Sequence, residues 1–268
     1  MDGQPHPDFS LLARYVPSLP MSDAWLKVYR FLIPSPQVPL ESTSSAVSIE
    51  LVKDPGLTGN PSILSCVARP KKRDNEPIPT RRPAIMWIHG GGMVLENHNM
   101  DLPKMKVWVE ELGVVSILIG YRLAPEHKAL AAVDDTFAGR QWIVHHAVEE
   151  LGLDIDRLVV AGNSAGGSVA ATTMQRIHDT PLLVQPILQL LVYPMLDNRT
   201  VLQSDDSVKA RIWSPKANRY GWTSYLGCKP GSTNDDDDDI PPYSVAARRT
   251  DVTGLPPLWI GVGTLDMF

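Results

Sequence analysis

From residue 84 onward, short apolar runs alternate with stretches of helical spacing. Residues 84–88, 114–120, 157–161, 187–192 and 258–262 are apolar or β-branched at nearly every position. That is the pattern of strands buried on both faces. Between them, residues 102–112, 131–151 and 168–177 place apolar side chains with helical period and predict helices. Upstream, 46–52 and 63–68 read as two strands joined by a turn-rich segment containing Asp54-Pro55-Gly56 and Gly59-Asn60-Pro61. Residues 1–40 are rich in proline and hold two predicted helices, 9–16 and 22–32. The second has Ser22 as N-cap and Trp25, Leu26, Tyr29, Leu32 and Ile33 at helical spacing.

Strands alternating with helices predict an α/β class: a mostly parallel central sheet with helices on both faces. Chemistry in such sheets sits outside the C-terminal ends of the strands. His89, Arg122, Ser164, Tyr193 and Gly263 all follow strand ends and are expected along one rim. Residues 197–255 interrupt the alternation. Trp213, Trp222, Tyr225 and Leu226 there predict an inserted helix above that rim. The expected organisation is an N-terminal helical arm or cap over 1–45 and a core over 46–268, with a cap-like insertion at about 200–250.

Composition changes this picture little. Apolar content of 43% and charged content of 21% are ordinary for a globular protein. The net charge of −5 is carried by the run Asp235 to Asp239, which reads as a solvated loop rather than a metal site. Elsewhere the charges balance, so neither nucleic acid nor an anionic membrane is an implied partner. Cys66 and Cys228 are far apart and lack metal spacing, which argues against a disulfide framework. The first residues have neither a basic nor an apolar leader segment, and no apolar run reaches membrane-spanning length. The default expectation is a cytoplasmic protein without stable membrane insertion.

The chemistry is concentrated in two glycine-rich turns. The strand ending at Ala161 runs into Gly162-Asn163-Ser164-Ala165-Gly166-Gly167 and then into a helix. A serine at a sharp strand-to-helix turn is held in a strained backbone with its hydroxyl exposed. It also stands at a helix N-terminus, where outward N–H groups and the macrodipole favour an oxyanion. A dinucleotide loop is disfavoured, because the third position of the run lacks the glycine that lets backbone approach pyrophosphate. A purely structural glycine turn competes until further parts of a site are found. One such part is Gly90-Gly91-Gly92, where successive glycines after a strand can aim N–H groups into a cleft.

Together, His89-Gly90-Gly91-Gly92, Tyr121-Arg122-Leu123-Ala124-Pro125-Glu126 and Gly162-Asn163-Ser164-Ala165-Gly166-Gly167 strongly resemble the hormone-sensitive-lipase-like branch of the α/β-hydrolases. The resemblance covers about residues 80–268 and includes Gly254-Leu255-Pro256-Pro257 and Gly263-Thr264-Leu265-Asp266. It implies an α/β-hydrolase fold with a helical cap and a serine carboxylesterase or lipase-like activity on small, largely apolar esters, through an acyl-enzyme. It implies Ser164 as nucleophile, Asp266 as triad acid, and Gly91, Gly92 and Ala165 as oxyanion-hole donors. His89 would shape the glycine loop. No metal or cofactor is implied. Asn163 stands where the family usually has aspartate, and Lys128-Ala129-Leu130 replaces the usual continuation after His127.

The family continues past the acid through a helix, a final strand and a loop bearing the catalytic histidine. None of the seven histidines here, His6, His89, His98, His127, His145, His146 and His178, follows Asp266. The sequence thus reads as C-terminally truncated, lacking the last strand and catalytic-histidine loop, with impaired hydrolysis. It leaves 258–262 as an unpaired apolar edge open to aggregation or homo-oligomer pairing. A reading from another class is a non-catalytic ligand-binding protein on an esterase scaffold, as in plant gibberellin receptors, which resemble the same family.

Overall fold

A computed structural model describes residues 20–32, 46–71, 81–95, 97–202, 212–230, 240–263 and 266–267. The first predicted helix, 9–16, the acidic run Asp235 to Asp239, His6, and Thr264 and Leu265 lie outside these residues. So does most of the arm expected over 1–45.

The described chain opens with helix α1 (Asp23–Leu32), followed by strands β1 (Val47–Asp54), β2 (Ile63–Pro70) and β3 (Arg82–Ile88). Helix α2 (Leu102–Leu112) leads to β4 (Val115–Ile119). Helix α3 (Ala131–Trp142) passes through a π-helical turn at Ile143–Ala147 into the short α4 (Val148–Leu151). The sequence predicts one continuous helix over 131–151, and the structure divides it at this wider turn. Strand β5 (Leu153–Asn163) then enters α5 (Ala165–Asp179), which starts three residues before the predicted 168. Strand β6 (Leu188–Val192), helix α6 (Pro215–Leu226) and strand β7 (Leu258–Gly261) follow. Ser214 caps α6 by accepting from the Ala217 amide, and Gly227 closes it in the left-handed region. The inserted helix expected between 197 and 255 is therefore α6.

The seven strands form one sheet in the order β1-β2-β4-β3-β5-β6-β7. β1, β2 and β4 pair antiparallel in sequence, while β4-β3-β5-β6-β7 are parallel. Side-chain alternation explains the unbroken apolar runs. Ile85 and Trp87 face one side with Leu118, Cys66 and the Leu102, Met105 and Val109 stripe of α2. Ala84, Met86 and Ile88 face the other, with Val115, Ile117, Ile119 and the inner faces of α3 and α5. Both faces are covered, so each strand position needs an apolar residue.

β7 lies at the sheet edge, with exposed Leu258, Trp259 and Ile260. Among the described residues no strand pairs with its outer side, as expected for 258–262. Cys66 is buried, and Cys228 is exposed and unpaired. Among the described residues, no helix is long and apolar enough to cross a membrane.

One ion pair ties the loop after β4 to α3. Arg122 Nε and Nη2 donate to both oxygens of Asp135 at 2.8–3.0 Å, and its backbone amide adds a bond of 2.8 Å to Oδ2. Asp135 is fully buried, so its charge depends on this guanidinium. Arg122→Ala is expected to destabilise the fold by about 3 kcal/mol or more, because it strands a buried carboxylate. Urea unfolding measures this, and a loss below about 0.5 kcal/mol would show that the pair is not structural.

Candidate active site

β5 ends at Asn163 and α5 begins at Ala165, leaving Ser164 alone to make the turn. Its backbone sits at φ 53°, ψ −122°, a region that L-residues rarely occupy and that costs about 1–3 kcal/mol. The surroundings over-determine it. The Ser164 amide donates to Val192 O at 2.9 Å, and its carbonyl accepts from Met195 N at 3.0 Å and from Gly167 N at 3.0 Å. The ends of β6 and α5 thus hold the turn from both sides.

Close approach then demands the glycines. A Cβ on Gly162 would lie 2.4 Å from Gly166 O, and one on Gly167 would lie 2.8 Å from Pro194 Cβ. A Cβ on Gly166 would lie 2.2 Å from Ile88 O and 2.3 Å from His89 O. That last contact brings the N-terminus of α5 against the end of β3, where the glycine loop starts. β3 and β5 are parallel neighbours with Ile88 opposite Gly162, so the two glycine-rich motifs share one rim.

The loop is shaped by buried groups. Gly91 and Gly92 have φ of 95° and 61°, which a residue with a Cβ adopts only under strain. His89 is buried, stacks on Tyr121 at 4.2 Å and donates from Nδ1 to Gly90 O. Tyr121 Oη lies 2.9 Å from His89 O and 3.1 Å from Gly90 O and donates between them. With these carbonyls turned inward, the amides of Gly91 and Gly92 donate to no group among the described residues, and neither does that of Ala165, the first residue of α5. Three backbone donors beside one strained serine can receive a localised negative charge.

Residues 85–268 match the family model described as "alpha/beta hydrolase fold". The chain belongs to the α/β-hydrolase-fold family. It falls in the hormone-sensitive-lipase-like branch. Carboxylesterase NlhH of Mycobacterium tuberculosis is 32% identical over 201 residues, 74% of this chain and 58% of the relative. Hormone-sensitive lipase of Mus musculus is 38% identical over 129 residues, covering 48% of this chain and 16% of its own length. The solved structure titled "Bacterial Heroin Esterase" aligns with TM-score 0.79 at 29% identity, covering 95% of this chain and 78% of that one. Esterase LipW from Mycobacterium marinum aligns with TM-score 0.74 at 26% identity over 96% and 78% of the two chains. The chain spans 58% of the length of the M. tuberculosis carboxylesterase.

The remaining expected parts of this α/β-hydrolase site are not brought together. Asp266 lies beyond β7 on the same rim, exposed, with Oδ1 accepting from the Met267 amide at 2.7 Å. No histidine among the described residues hydrogen-bonds to Ser164 Oγ. His127 and His145 are exposed, and His178 is half-buried in the last turn of α5. His98 is buried beside the glycine loop, close enough to His89 to feel its charge, and its Nε2 has no partner among the described residues. Burial pushes both His89 and His98 down to about 4. Among the described residues no group of His, Cys, Asp or Glu is assembled to hold a metal ion.

The reach of Arg30 lacks a sequence signal, and Trp213, expected within the inserted helix, stands just before it. Arg30 of α1 donates to Val94 O at 3.0 Å and Ala124 O at 2.6 Å, and forks onto Glu126 at 2.8 Å. It ties the first helix to the segment after the glycine loop and to the Tyr121–Glu126 motif at once. Trp213 wedges its ring between Gly92 and Gly221 of α6, so that a Cβ on Gly92 would lie 2.0 Å from its ring edge. Tyr220 Oη of α6 donates to Asp23 of α1, joining the two helices.

Two outcomes are expected. Gly92→Ala forces the ring of Trp213 aside and adds strain at φ 61°, costing about 1–3 kcal/mol. Trp213→Ala in the same chain should recover part of that loss in a double-mutant cycle, whereas simple additivity would show that the two residues do not meet. The buried histidines give a pH dependence. Their folded values lie below the ordinary 6.5, so the unfolded chain binds more protons between about pH 6.5 and 4. Stability falls as the pH drops through that window, at up to about 2.7 kcal/mol per pH unit for two groups. Denaturant midpoints in His89→Gln, His98→Gln protein should lose most of that slope, and an undiminished slope would contradict the assignment.

Proposed function

We propose that this chain carries the acyl-transfer site of a serine carboxylic-ester hydrolase. The observation that carries the reading is the strained Ser164 beside three backbone amides, those of Gly91, Gly92 and Ala165, that donate to no protein group among the described residues. In this mechanism Ser164 Oγ attacks the ester carbonyl carbon. Its proton passes to a base, and the carbonyl oxygen becomes an oxyanion cradled by the three amides. Collapse expels the alcohol and leaves an acyl-Ser164, which water then cleaves to a carboxylate. Asp266 is the group proposed to orient the base. His89 acts through the loop it packs against, as a positioning residue. The arm over 1–45, from which α1 is described, and the insertion at about 200–250 are proposed as the cap that frames the acyl pocket.

The proposed substrate class is a small, largely apolar ester. Trp213 and the core-facing Leu26 of α1 fit that class, as do relatives bearing the names ethyl acetate hydrolase and carboxylesterase. The exposed edge of β7 supports pairing with a second copy.

The test uses the 268 residues as they stand. Among the described residues no histidine is placed on Ser164, and a serine without a base loses on the order of 10⁴-fold in rate. Turnover of p-nitrophenyl acetate should therefore be at trace level and rise with added imidazole, which substitutes for the base. Ser164→Ala should remove the imidazole-dependent part while the melting transition persists. Equal imidazole stimulation in both proteins would refute Ser164 as the nucleophile. A second, non-catalytic ligand-binding reading is favoured by the same lack of a histidine at Ser164 among the described residues. Tight, saturable ester binding with no imidazole-dependent turnover would decide for it.

A further inference from the structure

Helix α1 is lightly seated on the rim. Leu26 is its one buried residue among those described, and Trp25, Val28, Phe31 and Leu32 are exposed. Arg30, in its last turn, is the polar anchor. Its Nε donates to Val94 O at 3.0 Å and its Nη2 to Ala124 O at 2.6 Å, while Nη1 forks onto Glu126. Val94 and Ala124 are buried. Among the described residues no backbone amide donates to either carbonyl, so the guanidinium is what satisfies them.

From Arg30 to the glycine loop the path is short. Val94 C=O and Leu95 N–H belong to one planar peptide unit, and Gly91 C=O and Gly92 N–H belong to another. Leu95 N–H donates to Gly91 O at 2.8 Å, and Val94 N–H adds a second bond to the same oxygen at 3.1 Å. Arg30, the Val94–Leu95 unit and the Gly91–Gly92 unit therefore form one chain of hydrogen bonds across two rigid planes. The chain ends on the Gly92 amide, which has no acceptor among the described residues. In a trans unit the N–H points opposite to the C=O, so the direction of Gly91 O sets the aim of Gly92 N–H. The second grip closes a loop: Ala124 O is held by Arg30, and Ala124 N donates to Met93 O at 2.9 Å.

We propose that Arg30 is a positioning residue for the oxyanion hole, aiming the Gly92 amide for as long as α1 is seated. The proposal rests on the acyl-transfer reading of Ser164. Bonds in such a chain polarise one another, so the guanidinium charge also strengthens Gly92 N–H as a donor. The pair with Glu126 is exposed and adds little to that aim. A misplacement of about 1 Å at the reacting atoms can cost on the order of 10²-fold in rate.

The test follows acylation of Ser164 by p-nitrophenyl acetate and by its thionoester, in imidazole, by intact-protein mass spectrometry. The thionoester puts sulfur, a weak acceptor, where oxygen would meet the amides, so the rate ratio of the two esters reads the hole. Arg30→Met keeps the packed stem and removes every donor. It should slow acylation by the oxygen ester on the order of 10²-fold and lower the ratio by about tenfold or more, with the melting transition retained. Arg30→Lys restores a cationic donor without the fork and should recover part of the ratio. Glu126→Gln leaves both carbonyl bonds in place and should hold the ratio within about twofold of the parent. An unchanged ratio in Arg30→Met, or an equal fall in Glu126→Gln, with Ser164 still the residue acylated, would overturn this inference alone. Acylation of a different residue in the parent protein would overturn the Ser164 reading and this inference with it.

Discussion

The structure around Ser164 depends on one missing side chain. With no Cβ at Gly166, the first turn of α5 lies directly on the carbonyls of Ile88 and His89. Any other residue would drive backbone oxygen and carbon within 2.3 Å of each other, which no rotamer change relieves. This contact makes the end of β3 and the start of α5 one rigid unit, and so places the glycine loop beside the serine. The other glycines of the turn protect the same approach from its remaining sides. The strain stored at Ser164 persists because β6, α5 and β3 all hold it there.

Around that contact, a set of polar anchors keeps the loop backbone turned. Tyr121 satisfies the carbonyls of His89 and Gly90, Arg122 binds the following loop to buried Asp135, and Arg30 reaches over from α1 to Val94, Ala124 and Glu126. The motif Tyr121-Arg122-Leu123-Ala124-Pro125-Glu126 thus acts through structure. Its tyrosine supports the glycine loop from below, its arginine fixes the motif to α3, and its glutamate receives Arg30 of α1. Satisfying the inward carbonyls leaves the amides of Gly91 and Gly92 without acceptors among the described residues.

Much of this was legible in residue order. Apolar runs such as 84–88 and 114–120 announced doubly covered strands, because both faces of β3 and β4 are buried and period-two alternation is lost. The pairing of the two glycine-rich turns was legible because parallel strands put both loops on one rim. Three features were not. The break in the helix after Trp142 is a backbone register change that Ile143 to Ala147 do not advertise. Arg30 looks like any basic residue on the polar side of an amphipathic helix, and its three partners lie more than 60 residues away. A cavity brings Gln175 and Asp179 at the end of α5 together with Arg199 and the segment from Ile240 to Thr250, a meeting decided by tertiary packing alone.

The central claim is that Ser164 and the amides of Gly91, Gly92 and Ala165 form one cradle for a tetrahedral oxyanion. The most direct measurement is a crystal structure of the protein after reaction with a p-nitrophenyl alkylphosphonate, in the presence of imidazole. The account predicts phosphorus bonded to Ser164 Oγ and a phosphoryl oxygen about 3 Å from all three amide nitrogens. Phosphorus on another residue, or a phosphoryl oxygen turned away from those amides, would contradict it.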